Sequence, residues 1–132
     1  MSEAPRVAIL VVEDEALIRS LVQEALEQSG YAVELVSNGA DAIARIESET
    51  DTIKGLVSDI RLGAGPSGWD VARRARELIH DLPVVYMTGD SAGEWNSLGV
   101  PNSVLVVKPF AVDQVVTAVS SLLTDAAAKA AT

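Results

Sequence analysis

The sequence predicts an α/β domain, a doubly wound five-stranded parallel sheet with five helices over its two faces. Three observations carry that expectation. Short β-branched or aliphatic runs alternate along the chain with longer segments of helical period. The runs are apolar throughout instead of at every second residue, as strands buried on both faces are. At 132 residues the chain holds one domain around a single core and has no room for a second. Right-handed crossovers then wind it to both sides of the sheet.

The elements follow in order. VAILVV at 7–12 is the first strand, and Leu17, Ile18, Leu21, Val22, Ala25 and Leu26 then recur at spacings of three and four, with Arg19, Gln23, Glu24 and Glu27 between them. That is a half-buried helix, stopped by Gly30 at the C-cap position. AVELV at 32–36 is the second strand, and Asn38-Gly39 turns into a helix that buries Ala42, Ile43 and Ile46. GLVSD at 55–59 is the third, followed by a helix facing Val71, Ala72, Ala75, Leu78 and Ile79 inward. PVVYM at 83–87 is the fourth, leading to a short helix over 91–98 interrupted by Gly93. SVLVV at 103–107 is the fifth, and the last helix runs from about 112 to 123 on Val115, Val116, Val119, Leu122 and Leu123. The domain is expected over 5–124, with an Ala-rich tail at 125–132 that extends the last helix or frays.

Composition excludes several classes. The net charge of −9 opposes binding to nucleic acid or an anionic membrane, both of which need a positive surface. No apolar run reaches the roughly 20 residues a bilayer requires, and the opening MSEAPR lacks the regions of a signal peptide. With no cysteine there is no disulfide framework and no thiolate chemistry. A soluble, cytoplasmic protein is the expectation.

In a doubly wound sheet, ligands sit beyond the carboxyl ends of the strands. Those ends carry Glu13-Asp14, Asn38, Asp59, Thr88 and Lys108. Acids at two neighbouring strand ends repel unless a cation shares them. Oxygen ligands without histidine or cysteine suit a hard ion such as Mg²⁺. One lysine and one hydroxyl facing the ion complete a set suited to phosphoryl oxygens. The constellation describes phosphoryl transfer onto a carboxylate.

VVEDE at 11–15, SDIRL around Asp59, MTGD at 87–90 and KPF at 108–110, in that order on those strand ends, make residues 5–124 resemble a response-regulator receiver domain of two-component signalling. The resemblance implies the flavodoxin-like strand order 2-1-3-4-5 of the chemotaxis response regulator. It implies Asp59 as phosphoacceptor, taking the phosphoryl group of a phosphohistidine on a histidine kinase or histidine phosphotransfer protein. Asp14 is the implied Mg²⁺ ligand, with Glu13 beside it and the Arg61 backbone carbonyl completing the set together with Asp59. Thr88 and Lys108 are the implied partners of the phosphoryl oxygens, and the bond to Pro109 is commonly cis in the family. Such a protein catalyses its own phosphotransfer and dephosphorylation without being a turnover enzyme. It signals by protein contact, here through the face made by about 91–123. A phosphate sink, a relay intermediate or a non-phosphorylated adaptor receiver are the alternatives, and the chain is expected to be a stand-alone receiver or one excised from a hybrid kinase.

Three departures from the family pattern stand out. Gly63 replaces a customary proline in a loop one residue longer than usual, Leu105 replaces a customary aromatic on the fifth strand, and Arg61 and Asp90 flank the site at positions that tune phosphate lifetime.

Rival readings explain less. GAGPSG at 63–68 matches the G-x-G-x-x-G dinucleotide fingerprint, but it follows the third strand instead of the first, behind an acid, and Pro66 lacks an N–H. It reads as an exit loop, flexible at 63–65, with Gly68 opening a helix. A phosphatase with an aspartate nucleophile wants an acid where Arg61 stands. Acids at 13–15 as a simple helix cap leave Asp59 and Lys108 unexplained. His80 reads as a solvated helix end, and Trp69 and Trp95 as packing residues.

Overall fold

The computed structural model describes residues 6–131, with side chains to Ala128; the segment MSEAP and Thr132 lie outside it. Five strands, β1 (Ala8–Val12), β2 (Ala32–Val36), β3 (Ile53–Asp59), β4 (Val84–Thr88) and β5 (Val104–Val107), form one parallel sheet. Their order is β2-β1-β3-β4-β5, as expected. Helices α1 (Ala16–Gln28), α2 (Gly39–Ser48), α3 (Gly68–Leu78), α4 (Trp95–Leu98) and α5 (Val112–Ala131) connect and follow the strands. No described helix is long and apolar enough to cross a membrane.

The sheet separates two apolar layers. On one face Leu10, Val12, Leu56 and Tyr86 pack with Ile46 of α2 and Trp69, Val71 and Ala75 of α3. On the other Ile9, Val11, Val57 and Met87 pack with Val22 and Leu26 of α1 and Val115 and Val119 of α5. Alternate residues of β1 thus supply both layers, which is why its run is apolar without a break. Each fully buried Val, Leu, Ile or Met among them contributes about 1.5–3 kcal/mol on burial.

Several boundaries differ from the sequence reading. β3 begins two residues early, at Ile53, and its register against β1 shifts between Ala8 and Ile9. Lys54 is exposed between buried Ile53 and Gly55, so one solvent-facing residue broke the apolar run without ending the strand. On α1, Leu17 and Leu21 are exposed, at 68% and 45%, whereas Val22 and Leu26 are buried. The row 18-22-26 faces the sheet, and the row 17-21 lies about 100° around the helix from it. The segment 91–98 is a 3₁₀ turn (Ala92–Glu94) followed by the four residues of α4. The Ala-rich segment continues α5 to Ala131. His80 is exposed just past the end of α3. Trp69 is buried against Tyr86, ring centroids 4.8 Å apart, and Trp95 is half-buried.

Candidate functional site

Because all five strands run parallel, their carboxyl ends share one edge, and four of the five strand-end positions converge there. Glu13 follows β1, Asp59 ends β3, Thr88 ends β4 and Lys108 follows β5. Asn38, after β2, does something else. Its side chain accepts the N–H of Asp41 at 2.8 Å and caps α2.

Lys108 joins the acids. Its Nζ donates to Glu13 Oε1 at 2.9 Å and to Asp59 Oδ2 at 3.3 Å. Asp59 Oδ1 accepts the N–H of Ile60 at 2.7 Å, so its two oxygens are differentiated, one held by backbone and one turned to the lysine. Glu13 is fully buried and Asp14 exposed. Glu13 is fixed further by the Glu15 N–H on Oε2 at 3.3 Å, and by Arg19, whose guanidinium donates to the Glu13 carbonyl at 2.9 Å. Burial pushes the Glu13 carboxyl up to about 7, with Asp59 adding to the rise and Lys108 opposing it. Burial alone pulls the Lys108 ammonium down; its bond to Glu13 and the charge of Asp59 outweigh that and hold it above its ordinary value.

Thr88 Oγ1 accepts two backbone N–H groups, from Ser91 at 2.8 Å and Asp90 at 3.3 Å. A hydroxyl has two lone pairs and one proton. With both lone pairs engaged, the O–H proton is what Thr88 has left to offer. The Lys108 N–H returns to the Thr88 carbonyl at 2.7 Å, and Lys108–Pro109 is cis. Across the mouth, Arg61 Nε donates to Asp90 Oδ1 at 2.9 Å, and Ser91 Oγ donates to the same oxygen at 3.1 Å.

The donor set fits a hard cation. Carboxylate oxygens of Glu13, Asp14 and Asp59 lie within 4.8 Å of one another, all three would donate oxygen, and the fully buried Glu13 is met by one lysine among the described residues, Lys108. That is the chemistry Mg²⁺ accepts.

The exit loop after Asp59 is braced at its far half. The Gly68 N–H donates to the Ile60 carbonyl at 2.8 Å, and a Cβ on Gly68 would collide with the Asp59 carbonyl. Pro66 lies against Gly39 at the start of α2. Ser67 and Asp70 form a reciprocal capping box on α3. Gly63 and Gly65 have positive φ, so the glycines serve a turn and a close approach, not a pyrophosphate.

Residues 9–120 match the response regulator receiver domain family. The chain belongs to that family. As a receiver of the two-component type it is 34% identical over 126 residues to the transcriptional regulatory protein ResD of Bacillus subtilis (strain 168), covering 93% of this chain and 50% of that one. It is 33% identical over 117 residues to the response regulator receiver protein CpdR of Brucella abortus (strain 2308), covering 87% of this chain and 95% of that one. The receiver thus spans half the length of ResD and nearly all of CpdR. A crystal structure of a response regulator receiver protein from Sinorhizobium medicae WSM419 superposes with a TM-score of 0.87 at 44% identity, covering 90% of this chain and 95% of that one.

Some site contacts of the receiver had no sequence signal. Arg19 reaches back six residues to a backbone carbonyl, and Arg61 meets Asp90 across 29 residues. Neither spacing belongs to a local motif. The capping box did have one, since Ser67-x-x-Asp70 stands in the sequence.

Proposed function

We propose that this receiver is a phosphorylation-dependent switch in which Asp59 takes a phosphoryl group from a phosphohistidine of a histidine kinase or histidine phosphotransfer protein. The observation that carries the reading is Lys108 bridging Glu13 and Asp59 from 95 and 49 residues away. In the transfer, the carboxylate oxygen of Asp59 attacks phosphorus. The P–N bond breaks and its electron pair leaves with the imidazole, which takes a proton, giving an acyl phosphate. Lys108 moves its ammonium onto a phosphoryl oxygen, and the free O–H of Thr88 donates to another. Glu13, Asp14, Asp59 and the backbone carbonyl of Arg61 would hold Mg²⁺, which would supply positive charge against the phosphoryl oxygens.

The rim beside the acceptor supports a protein donor. Exposed Leu21 helps line a groove of about 390 Å³ with Ile18, Lys108, Pro109, Phe110 and Val112, and Leu17, one turn earlier on α1, is exposed as well. Apolar surface at the mouth of a charged site is what a docking donor covers. The modified domain signals by contact through the 91–123 face, and it turns over no substrate of its own.

Incubation with acetyl phosphate and Mg²⁺, read by intact mass, is expected to add one phosphoryl group to the wild type and none to Asp59→Asn. Labelling that persists in Asp59→Asn moves the nucleophile elsewhere. Millimolar Mg²⁺ is expected to raise the melting temperature, because it binds only the folded acid cluster.

A further inference from the structure

The Arg61–Asp90 ion pair is the only side-chain hydrogen bond joining the loop after β3 to the loop after β4 among the described residues. It spans the mouth of the acceptor site, two residues beyond Asp59 on one side and two beyond Thr88 on the other. Asp90 is held at both ends, its carboxylate by Arg61 and Ser91 and its N–H by Thr88 Oγ1. The pair therefore ties the segment leading to α4 to the acceptor loop.

Its strength is the telling quantity. Both side chains are mostly exposed, at 71% and 62%, and one guanidinium nitrogen makes the bond, so the pair contributes little and opens cheaply. A phosphoryl group turns the single negative charge of the Asp59 carboxylate into about two, carried on the phosphoryl oxygens, two residues from the same arginine. Arginine binds phosphate through two parallel N–H groups, which a single-point carboxylate contact does not match. The same new charge repels Asp90. Both effects act in one direction.

We propose that Arg61 is a positioning residue that exchanges partners on phosphorylation, letting go of Asp90 to hold the phosphoryl group and so releasing the 89–94 segment. The exchange gives this receiver a route from Asp59 to α4 that needs no aromatic side chain on β5, where Leu105 stands. It rests on Asp59 being the acceptor, as proposed above.

The test is amide hydrogen exchange of the 89–94 segment in the full chain, with acetyl phosphate and Mg²⁺ added or withheld, beside intact mass for phosphoryl occupancy. In the wild type, phosphorylation is expected to speed exchange about two- to fivefold, the range an exposed ion pair accounts for. Asp90→Ala is expected to exchange at the fast rate from the start and still to take up the phosphoryl group. Arg61→Ala is expected to exchange fast in both states and to lose its phosphoryl group sooner. Arg61→Lys separates positioning from scaffolding: lysine pairs with Asp90 and restores slow resting exchange, but lacks the fork and leaves the shortened lifetime unrescued. Full occupancy with unchanged wild-type exchange, or rescue of both properties by lysine, overturns the partner exchange alone. No mass gain in the wild type overturns the acceptor reading and this inference with it.

Discussion

Helices α3 and α4 follow neighbouring strands that carry Asp59 and Thr88, yet they are built by opposite means. α3 has 11 residues, a reciprocal cap at Ser67 and Asp70, and Gly68, Trp69, Val71, Ala72 and Ala75 buried. α4 has four residues, no side-chain cap and no buried residue. It is held from outside. The Val100 N–H just past it donates to Tyr86 Oη at 3.0 Å, Trp95 Nε1 donates to Ser103 Oγ at 2.9 Å, and Ser103 Oγ donates to the Val100 carbonyl at 2.7 Å. A helix specified by its own sequence keeps its place when one distant contact is lost. A helix held by distant side chains moves when they do. The Asp59 side is thereby fixed and the α4 side conditional, a division that suits the proposed switch.

Substitutions can break that contrast. The largest effect is expected from Gly68→Ala, whose Cβ meets backbone at Asp59 and Ile60; a loss of about 3 kcal/mol in urea unfolding is expected. Gly93→Ala, with nothing within 4 Å of its Cβ, is the control, and equal losses would erase the distinction. Next is Tyr86→Phe, which strands the buried Val100 N–H and is expected to cost about 2 kcal/mol, with exchange rising around 95–100 and not in α3. Ser67→Ala removes the α3 cap, at about 1 kcal/mol, whereas Glu94→Ala at the start of α4 removes none and is expected to stay within about 0.5 kcal/mol. A Glu94 effect as large as that of Ser67 would mean that α4 is locally specified after all.

The smallest effect is acid-dependent. The backbone N–H of Ser67 holds the Asp70 carboxyl below its ordinary value, with Arg73 helping. A depressed folded pKa means the contribution is complete above the unfolded value of 3.8 and is lost as pH falls through the folded one. Melting temperatures between about pH 5 and about pH 3 are expected to fall less steeply in Asp70→Asn than in the wild type.

The same contrast explains what could be read from the sequence. The doubly wound parallel sheet, the convergence of Glu13, Asp59, Thr88 and Lys108, and the inward face of α3 follow from apolar runs and strand ends, which are local patterns read through the rules of a parallel sheet, whereas the strand order followed from the family resemblance. The roles within the acid pair did not follow. Adjacency suggests that Glu13 and Asp14 are alike, but alternation at the strand end buries one fully and exposes the other. Leu17 and Leu21 counted as core because they share the helical spacing, and only the tilt of α1 on the sheet tells the two rows apart. Tyr86 with Val100 and Arg61 with Asp90 join residues 14 and 29 apart, and no spacing announces them. The glycines at 63–68 looked like one motif and serve separate purposes.

The two tryptophans fall on opposite sides of this division. Trp69 is locked in the α3 layer against Tyr86, whereas Trp95 lies half-exposed on α4. Under ultraviolet excitation, the first indole emits at short wavelength from a constant apolar environment. The second shifts to the red with any movement of α4 that hands its ring to water. The protein thus carries an internal reference and a reporter in one emission spectrum, a ratiometric optical signal that needs no dye.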